Sequence, residues 1–303
     1  MQKITSHLWF DSQAEEAAQF YASLFKAGHI GTKTYYSKVG KEIHGQDAGK
    51  LMTVQFDLDG CSFVALNGGP YFQFTPAVSF LIACESKEEV DAFWKELSLG
   101  GKALMELGKY PFSEWYGWTT DRYGVSWQVM YMGDWKWTQK ITPTLMYVGA
   151  QAGKAEEAML LYTKVFQNSS ISNINRYNPG EEPDVAGTVR HGSFTLVGQS
   201  FAAMDSAHAH KFTFSEATSF LVKCQDQAEI DHLWNLLTTG GDPAAQQCGW
   251  LKDKYGVSWQ IAPAILDEML QDKDPAKVER VTKAFLQMKK FDVATLERAF
   301  KGA

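Results

Sequence analysis

The string Asp121-Arg-Tyr-Gly-Val-Ser-Trp-Gln128 returns, with one change, as Asp253-Lys-Tyr-Gly-Val-Ser-Trp-Gln260. Four further blocks keep the same order in both halves. Gly117-Trp118 matches Gly249-Trp250, Ser79-Phe80-Leu81 matches Ser219-Phe220-Leu221, and Gly100-Gly101 matches Gly240-Gly241. The pattern Phe56-x-Leu58-x-Gly60-x-x-Phe63-x-Ala65 recurs as Phe194-x-Leu196-x-Gly198-x-x-Phe201-x-Ala203. Chance does not keep that order, so the 303-residue chain reads as a duplication, with modules over residues 1–133 and 140–263.

A weaker period runs inside each module. Glu16, Tyr21 and Leu24 share their spacing with Glu89, Trp94 and Leu97, with Glu157, Tyr162 and Val165, and with Glu229, Trp234 and Leu237. Each set lies among apolar residues at helical spacing, so each marks an amphipathic helix whose ring presses on a sheet. Around each helix the apolar pattern has period two. Ile4–Phe10 precedes the first helix, and the stretches 33–38, 51–58 and 61–66 follow it as strands. Asp59-Gly60 marks a hairpin turn, because Gly takes the positive φ that such turns need. The strand at 78–84 opens a second unit that ends in 125–131. The expected fold is α+β: four β-α-β-β-β units paired in two tandem modules, then a C-terminal helical tail over 264–303, with apolar helical spacing at 267–270, 277–288 and 293–300.

Composition removes several function classes. The net charge of −6, without a local basic stretch, argues against nucleic acid as a partner. The sequence has no run of apolar residues long enough for a membrane helix and no basic-then-apolar start, so the expectation is a cytoplasmic protein. Cys61, Cys84, Cys224 and Cys248 are too scattered for a disulfide framework, and Cys84 and Cys224 close apolar runs as buried thiols. Aromatic residues make up 14%, which either ring-packed cores or a ring-lined site would explain.

Leu8-Trp9-Phe10-Asp11, Ala14-Glu15-Glu16-Ala17-Ala18 with Phe20-Tyr21, Ala65-Leu66-Asn67-Gly68-Gly69-Pro70 and Tyr123-Gly124-Val125-Ser126-Trp127-Gln128 occur in that order. Together they resemble the PhnB-like family, whose members have carried the label 3-demethylubiquinone-9 3-methyltransferase. That family belongs to the vicinal oxygen chelate superfamily, with glyoxalase I, bleomycin-resistance proteins and extradiol dioxygenases. The resemblance implies paired β-α-β-β-β units curved around a cavity. It also implies metal-ligand positions near His7, Asn67, Ser79 and Gln128 in the first module and near Thr144, Asp205, Ser219 and Gln260 in the second.

Gln128 and Gln260 stand where metal-using relatives carry Glu, and Ser79 and Ser219 where they carry His. A neutral amide and a hydroxyl are weak ligands for zinc or iron. No metal site is therefore assigned, although the resemblance keeps Zn, Ni, Fe or Mn open as cofactors. These residues suit hydrogen bonding to a small molecule, with Trp9, Phe63 and Met130 as apolar walls. Period two puts Ser126, Gln128 and Met130 on one face and turns Val125 and Trp127 toward the helices.

His208-Ala209-His210 would revive a metal site if it converged with His191 on Asp205. No methyltransferase signature is present: Gly68-Gly69-Pro70 follows a strand but precedes another strand, where a cofactor-cradling turn would open a helix. The expected function is enclosure of a small-molecule ligand in a curved-sheet cavity, by two modules associated within one chain as a pseudo-dimer. A metal-dependent lyase, isomerase or dioxygenase remains open, as do bleomycin-resistance-like sequestration, a structural role, and further homodimerisation.

Overall fold

A computed structural model describes residues 3–302. The first unit runs β1 (Ile4–Phe10), α1 (Ala14–Leu24), β2 (His29–Tyr35), the single-turn α2 (Lys41–His44), β3 (Leu51–Leu58) and β4 (Cys61–Asn67). The second is β5 (Val78–Cys84), α3 (Lys87–Ser98), β6 (Lys102–Tyr110), β7 (Ser113–Thr120) and β8 (Ser126–Tyr131). The third is β9 (Ile141–Val148), α4 (Ala155–Val165), β10 (Ser170–Arg176), β11 (Val189–Leu196) and β12 (Gln199–Ser206). The fourth is β13 (Thr218–Cys224), α5 (Gln227–Leu237), β14 (Asp242–Gln247), β15 (Trp250–Lys252) and β16 (Ser258–Pro263). The tail adds α6 (Ile265–Leu270), α7 (Pro275–Phe285) and α8 (Val293–Lys301). The α+β reading with four β-α-β-β-β units and a helical tail thus holds, with β2 beginning earlier than the alternation of residues 33–38 suggests.

Strand pairing crosses between the repeats. The first sheet has the order β14-β15-β16-β13-β1-β4-β3-β2, and the second β10-β11-β12-β9-β5-β8-β7-β6. Each sheet takes four strands from either repeat. The joins are antiparallel: β1 lies on β13 with His7 opposite Ser219, and β5 lies on β9 with Ser79 opposite Thr144. The molecule is a two-module pseudo-dimer within one chain.

The hydrophobic cores, by contrast, follow the repeats. Leu8, Tyr21, Phe56, Phe63, Phe80, Trp127 and Val129 belong to one cluster, which draws almost wholly on the first repeat. Leu145, Tyr162, Phe194, Phe201, Phe220, Trp259 and the tail residues Val281, Phe291 and Leu296 belong to the other. Each fully buried ring contributes about 2–3 kcal/mol. The ring at the repeated helix position has the expected task. Tyr21 of α1 lies 5.2 Å from Trp127, and Tyr162 of α4 lies 5.3 Å from Trp259, centroid to centroid.

A buried carboxylate pins each of these helices. Asp121 accepts from Tyr21 Oη (2.6 Å), Trp127 Nε1 (2.9 Å) and the amides of Tyr123 (2.8 Å) and Val125 (3.0 Å). Asp253 accepts in the same way from Tyr162 Oη, Trp259 Nε1, Tyr255 N and Val257 N. The repeated Asp-x-Tyr-Gly-Val-x-Trp string is therefore a structural device. Its carboxylate ends two turn amides and ties a helix to a sheet, which satisfies a charge that would otherwise be costly to bury.

The first sheet is curled. Trp250 on β15 and His7 on β1 are separated by two intervening strands, which puts their backbones about 14 Å apart on a flat sheet. Their ring centroids nevertheless lie 5.5 Å apart, edge to face. At the rim, Leu286 spans toward both ends of the same sheet. Gln247 Nε2, at the end of β14, donates to its carbonyl at 2.8 Å, and a Cβ on Gly40, beyond β2, would lie 2.4 Å from its Cδ1.

Candidate functional site

Side-chain parity decides which residues face away from the helices. On β1, Leu8 and Phe10 enter the helix-side core, so His7 and Trp9 point to the other face. On β13 and β16, Phe220, Trp259 and Ile261 enter the core, which turns Ser219, Ser258 and Gln260 outward to the face carrying His7. Strand register then lines up His7, Ser219 and Ser258 directly across three strands, with Gln260 next along β16. The second sheet repeats the layout. Thr144 lies opposite Ser79, and Ser126 and Gln128 occupy β8.

Two corrections follow. The candidate residues do not group by module: His7 shares its face with Ser219 and Gln260, while Ser79 and Gln128 share theirs with Thr144. Sequence order hides this, because the joining strands come from opposite ends of the repeats. Asn67 and Asp205 also leave the set, since both lie on the helix side of their strands. Phe63 and Ala65 on β4, and Phe201 and Ala203 on β12, are core residues, and one strand step of two carries Asn67 and Asp205 to the same side.

Asn67 Oδ1 accepts the Ala14 amide at the start of α1 (2.8 Å), and its Nδ2 donates to Leu51 O (3.2 Å). Asp205 accepts the Ala155 amide at the start of α4 (3.0 Å) and that of Val189 (2.9 Å). Burial raises the Asp205 carboxyl above its ordinary range, against the pull of these backbone donors. Both residues cap helices, a role that sequence-distant capping leaves invisible. Phe63, expected as an apolar wall, is part of the helix-side core for the same parity reason.

The two faces differ in how their polar atoms are satisfied. On the second sheet, Gln128 Nε2 donates to Ser79 Oγ at 2.7 Å, and Gln128 Oε1 accepts from Tyr116 Oη at 2.8 Å. Ser126 Oγ accepts from Trp118 Nε1 at 2.8 Å. On the first sheet, Gln260 Nε2 donates to Ser219 Oγ at 3.0 Å. The matching bonds beyond it are missing. Among the described residues, His7 Nδ1 and Ser258 Oγ are the buried side-chain polar atoms without a hydrogen-bond partner. Trp250, the counterpart of Trp118, packs edge-on against His7 and, at 6.0 Å, against Trp9. Trp9 is itself held by Gly69 O (2.8 Å) and Phe72 (5.0 Å).

Burial lowers the His7 pKa to about 3, so the ring is neutral at neutral pH. Opposite Ser258 in the register, Lys252, pairs with Glu216 at 3.1 Å. Sequence reasoning missed Ser258, Trp250 and Tyr116. The aligned repeats carry a signal for the last: Tyr116 precedes Gly117-Trp118, whereas Cys248 precedes Gly249-Trp250.

The family model described as 3-demethylubiquinone-9 3-methyltransferase matches residues 2–130 and again residues 139–262. The chain belongs to this PhnB-like family. A PhnB protein from Bacillus cereus is 40% identical, over 43% of this chain and 99% of that one, with a TM-score of 0.39. Glyoxalase I from Zea mays is 12% identical over 89% of this chain and 97% of that one, with a TM-score of 0.53, a likeness of fold. No curated protein matches the chain. The Gly68-Gly69 loop links β4 to β5 without opening a helix, unlike the cofactor-cradling turn of a doubly wound methyltransferase.

Nor does the donor set fit a divalent metal. One imidazole, two hydroxyls and an amide offer a single good ligand and no negative charge, short of the three strong ligands of a catalytic zinc. Among the described residues no group of three or more His, Cys, Asp or Glu could hold a metal ion. His208 pairs with Asp184 at 3.6 Å and His210 with Ser206 at 2.9 Å, while Asp205 faces α4, so these groups do not converge. No helix among the described residues is long and apolar enough to cross a membrane.

Proposed function

We propose that this protein encloses one small, uncharged molecule against the helix-free face of the first sheet, over His7, Ser219, Ser258 and Gln260. The observation that carries this reading is the pair of orphaned buried atoms, His7 Nδ1 and Ser258 Oγ, in one cross-strand row. An unpaired buried polar atom costs about 1–3 kcal/mol, and a ligand that bonds both regains that cost on binding. Trp9 and Trp250 supply flat apolar surface beside the row. Charge selection follows from the surroundings: a neutral imidazole and an already paired lysine offer no free positive charge to a carboxylate or phosphate.

Binding without chemistry is the favoured role. A histidine held near pKa 3 is a feeble general base at neutral pH. The test is a screen of neutral aromatic and carbonyl compounds against protein carrying ¹⁵N-histidine. Binders should move the His7 ring signals and lose affinity in Ser258→Ala. A screen whose every binder leaves His7 unmoved sinks the reading.

A further inference from the structure

We infer that Tyr116 is a built-in stand-in for the ligand of the other sheet, and that this ligand is a hydroxyaryl compound whose hydroxyl donates to Gln260 Oε1. The inference rests on the binding role proposed for the first sheet and names the chemistry it selects. Its template lies within the molecule. Gln128 and Gln260 are both 8% exposed, and each donates from Nε2 to the serine of the neighbouring strand. They differ at the other end of the amide. Gln128 Oε1 receives the Tyr116 phenol, whereas Gln260 Oε1 accepts no hydrogen bond among the described residues.

The reason is one exchange in the repeat. Cys248 stands where Tyr116 stands, and its side chain is drawn off the face by the tail. Its Sγ lies 3.6 Å from Phe285 O, and its amide donates to Met288 O at 2.8 Å. The next amide, of Gly249, donates to Lys289 O at 2.7 Å, and a Cβ there would lie 2.4 Å from Phe291 Cε2. The tail thus fixes the hairpin so that, among the described residues, no side chain donates to Gln260 Oε1 as Tyr116 donates to Gln128. An aromatic ring bearing a hydroxyl repeats the Tyr116 contact, and Trp250 and Trp9 lie ready to pack on that ring. His7 Nδ1 and Ser258 Oγ remain for further polar groups on it.

The experiment compares three probes of one shape: p-cresol, which donates; 4-methylanisole, which only accepts; and toluene, which does neither. Binding is followed through the ¹⁵N signals of His7 and of the Gln260 side-chain amide. The wild-type chain should bind one p-cresol, with the other two about tenfold weaker, the factor for one hydrogen bond of ordinary strength. Gln260→Leu should erase the preference, and Gln128→Leu should leave it intact. Tyr116→Ala should gain a second p-cresol site, reported by Gln128. Should that variant not fold, the wild-type chain and the two glutamine variants still decide.

Equal affinity for the three probes, or a preference that survives Gln260→Leu, overturns the hydroxyaryl assignment and leaves the binding role standing. Failure of all three to bind overturns the assignment as well, and the broad neutral screen then judges the role separately. Binding that moves neither His7 nor Gln260 overturns both.

Discussion

On the second sheet two polar side chains are each met by an aromatic donor, a serine by a tryptophan and a glutamine by a tyrosine. Ser126 takes the Trp118 proton and Gln128 the Tyr116 proton. On the first sheet the same serine, glutamine and tryptophan are present as Ser258, Gln260 and Trp250, yet Ser258 Oγ has no partner. Two replacements change the polar groups of the face, Cys248 for Tyr116 and His7 for Thr144, and Trp9 stands where the second sheet has Met146. Duplication therefore left one face closed by its own side chains and the other with open hydrogen-bonding capacity. Identical strand geometry does not make identical sites; the side chains that complete a network decide whether its polar atoms are satisfied from within.

The sharpest way to break this comparison is to remove the residue that closes the second face. Tyr116 is buried, and burial raises its phenol pKa, so it stays a donor throughout the working range. Tyr116→Ala should cost about 4 kcal/mol in denaturant unfolding, from the lost ring and the orphaned Gln128 carbonyl together. Cys248→Ala, at the equivalent position, should cost less than about 1 kcal/mol, because its Sγ makes only two long contacts, to Phe285 O and Gln247 Nε2. Equal losses would mean that Tyr116 does not close its face.

Where the halves are alike, they should respond alike. Asp121→Asn and Asp253→Asn should each cost about 3 kcal/mol, since an amide nitrogen would confront the Tyr and Trp donors that one carboxylate oxygen now accepts. A difference beyond about 1 kcal/mol would show that the two cores do not share one design.

The His7-for-Thr144 exchange gives a pH signature. In the unfolded chain His7 titrates near its ordinary 6.5, and in the folded protein near 3. Between these values the unfolded state binds a proton that the folded state refuses, so stability rises with pH there. The contribution is full above 6.5 and is lost as pH falls toward 3. From pH 7 to pH 5 the wild-type chain should lose about 2 kcal/mol that His7→Thr does not lose. Parallel stability curves for the two proteins would place the His7 ring in water.

The sequence carries the duplication, the four units, the tail and the outward aim of the two glutamines, because these depend on local period and on blocks repeated in order. It does not carry which unit pairs with which: β1 and β13 meet across most of the chain's length, and antiparallel joining leaves no local trace. Asn67 and Asp205 show the second limit. A strand inverts its faces at every residue, so a placement uncertain by one step turns a helix cap into a presumed ligand. Tyr116 shows the third, since a residue outside the longest repeated string gains its role only through what its counterpart lacks.

The smallest effect is also the cleanest contrast. Ser126→Ala removes the acceptor of the Trp118 indole and should cost about 1 kcal/mol. Ser258→Ala removes a hydroxyl that is 2% exposed and bonded to nothing described, so it should cost nothing in the ligand-free protein or stabilise it slightly. On the proposed binding role the sign should reverse once ligand is present, because the unpaired hydroxyl would then gain a partner. Thermal shifts of the two variants, with and without a bound neutral aromatic, read this directly. A Ser258→Ala protein destabilised as much as Ser126→Ala, and indifferent to ligand, would mean that the first face is closed after all.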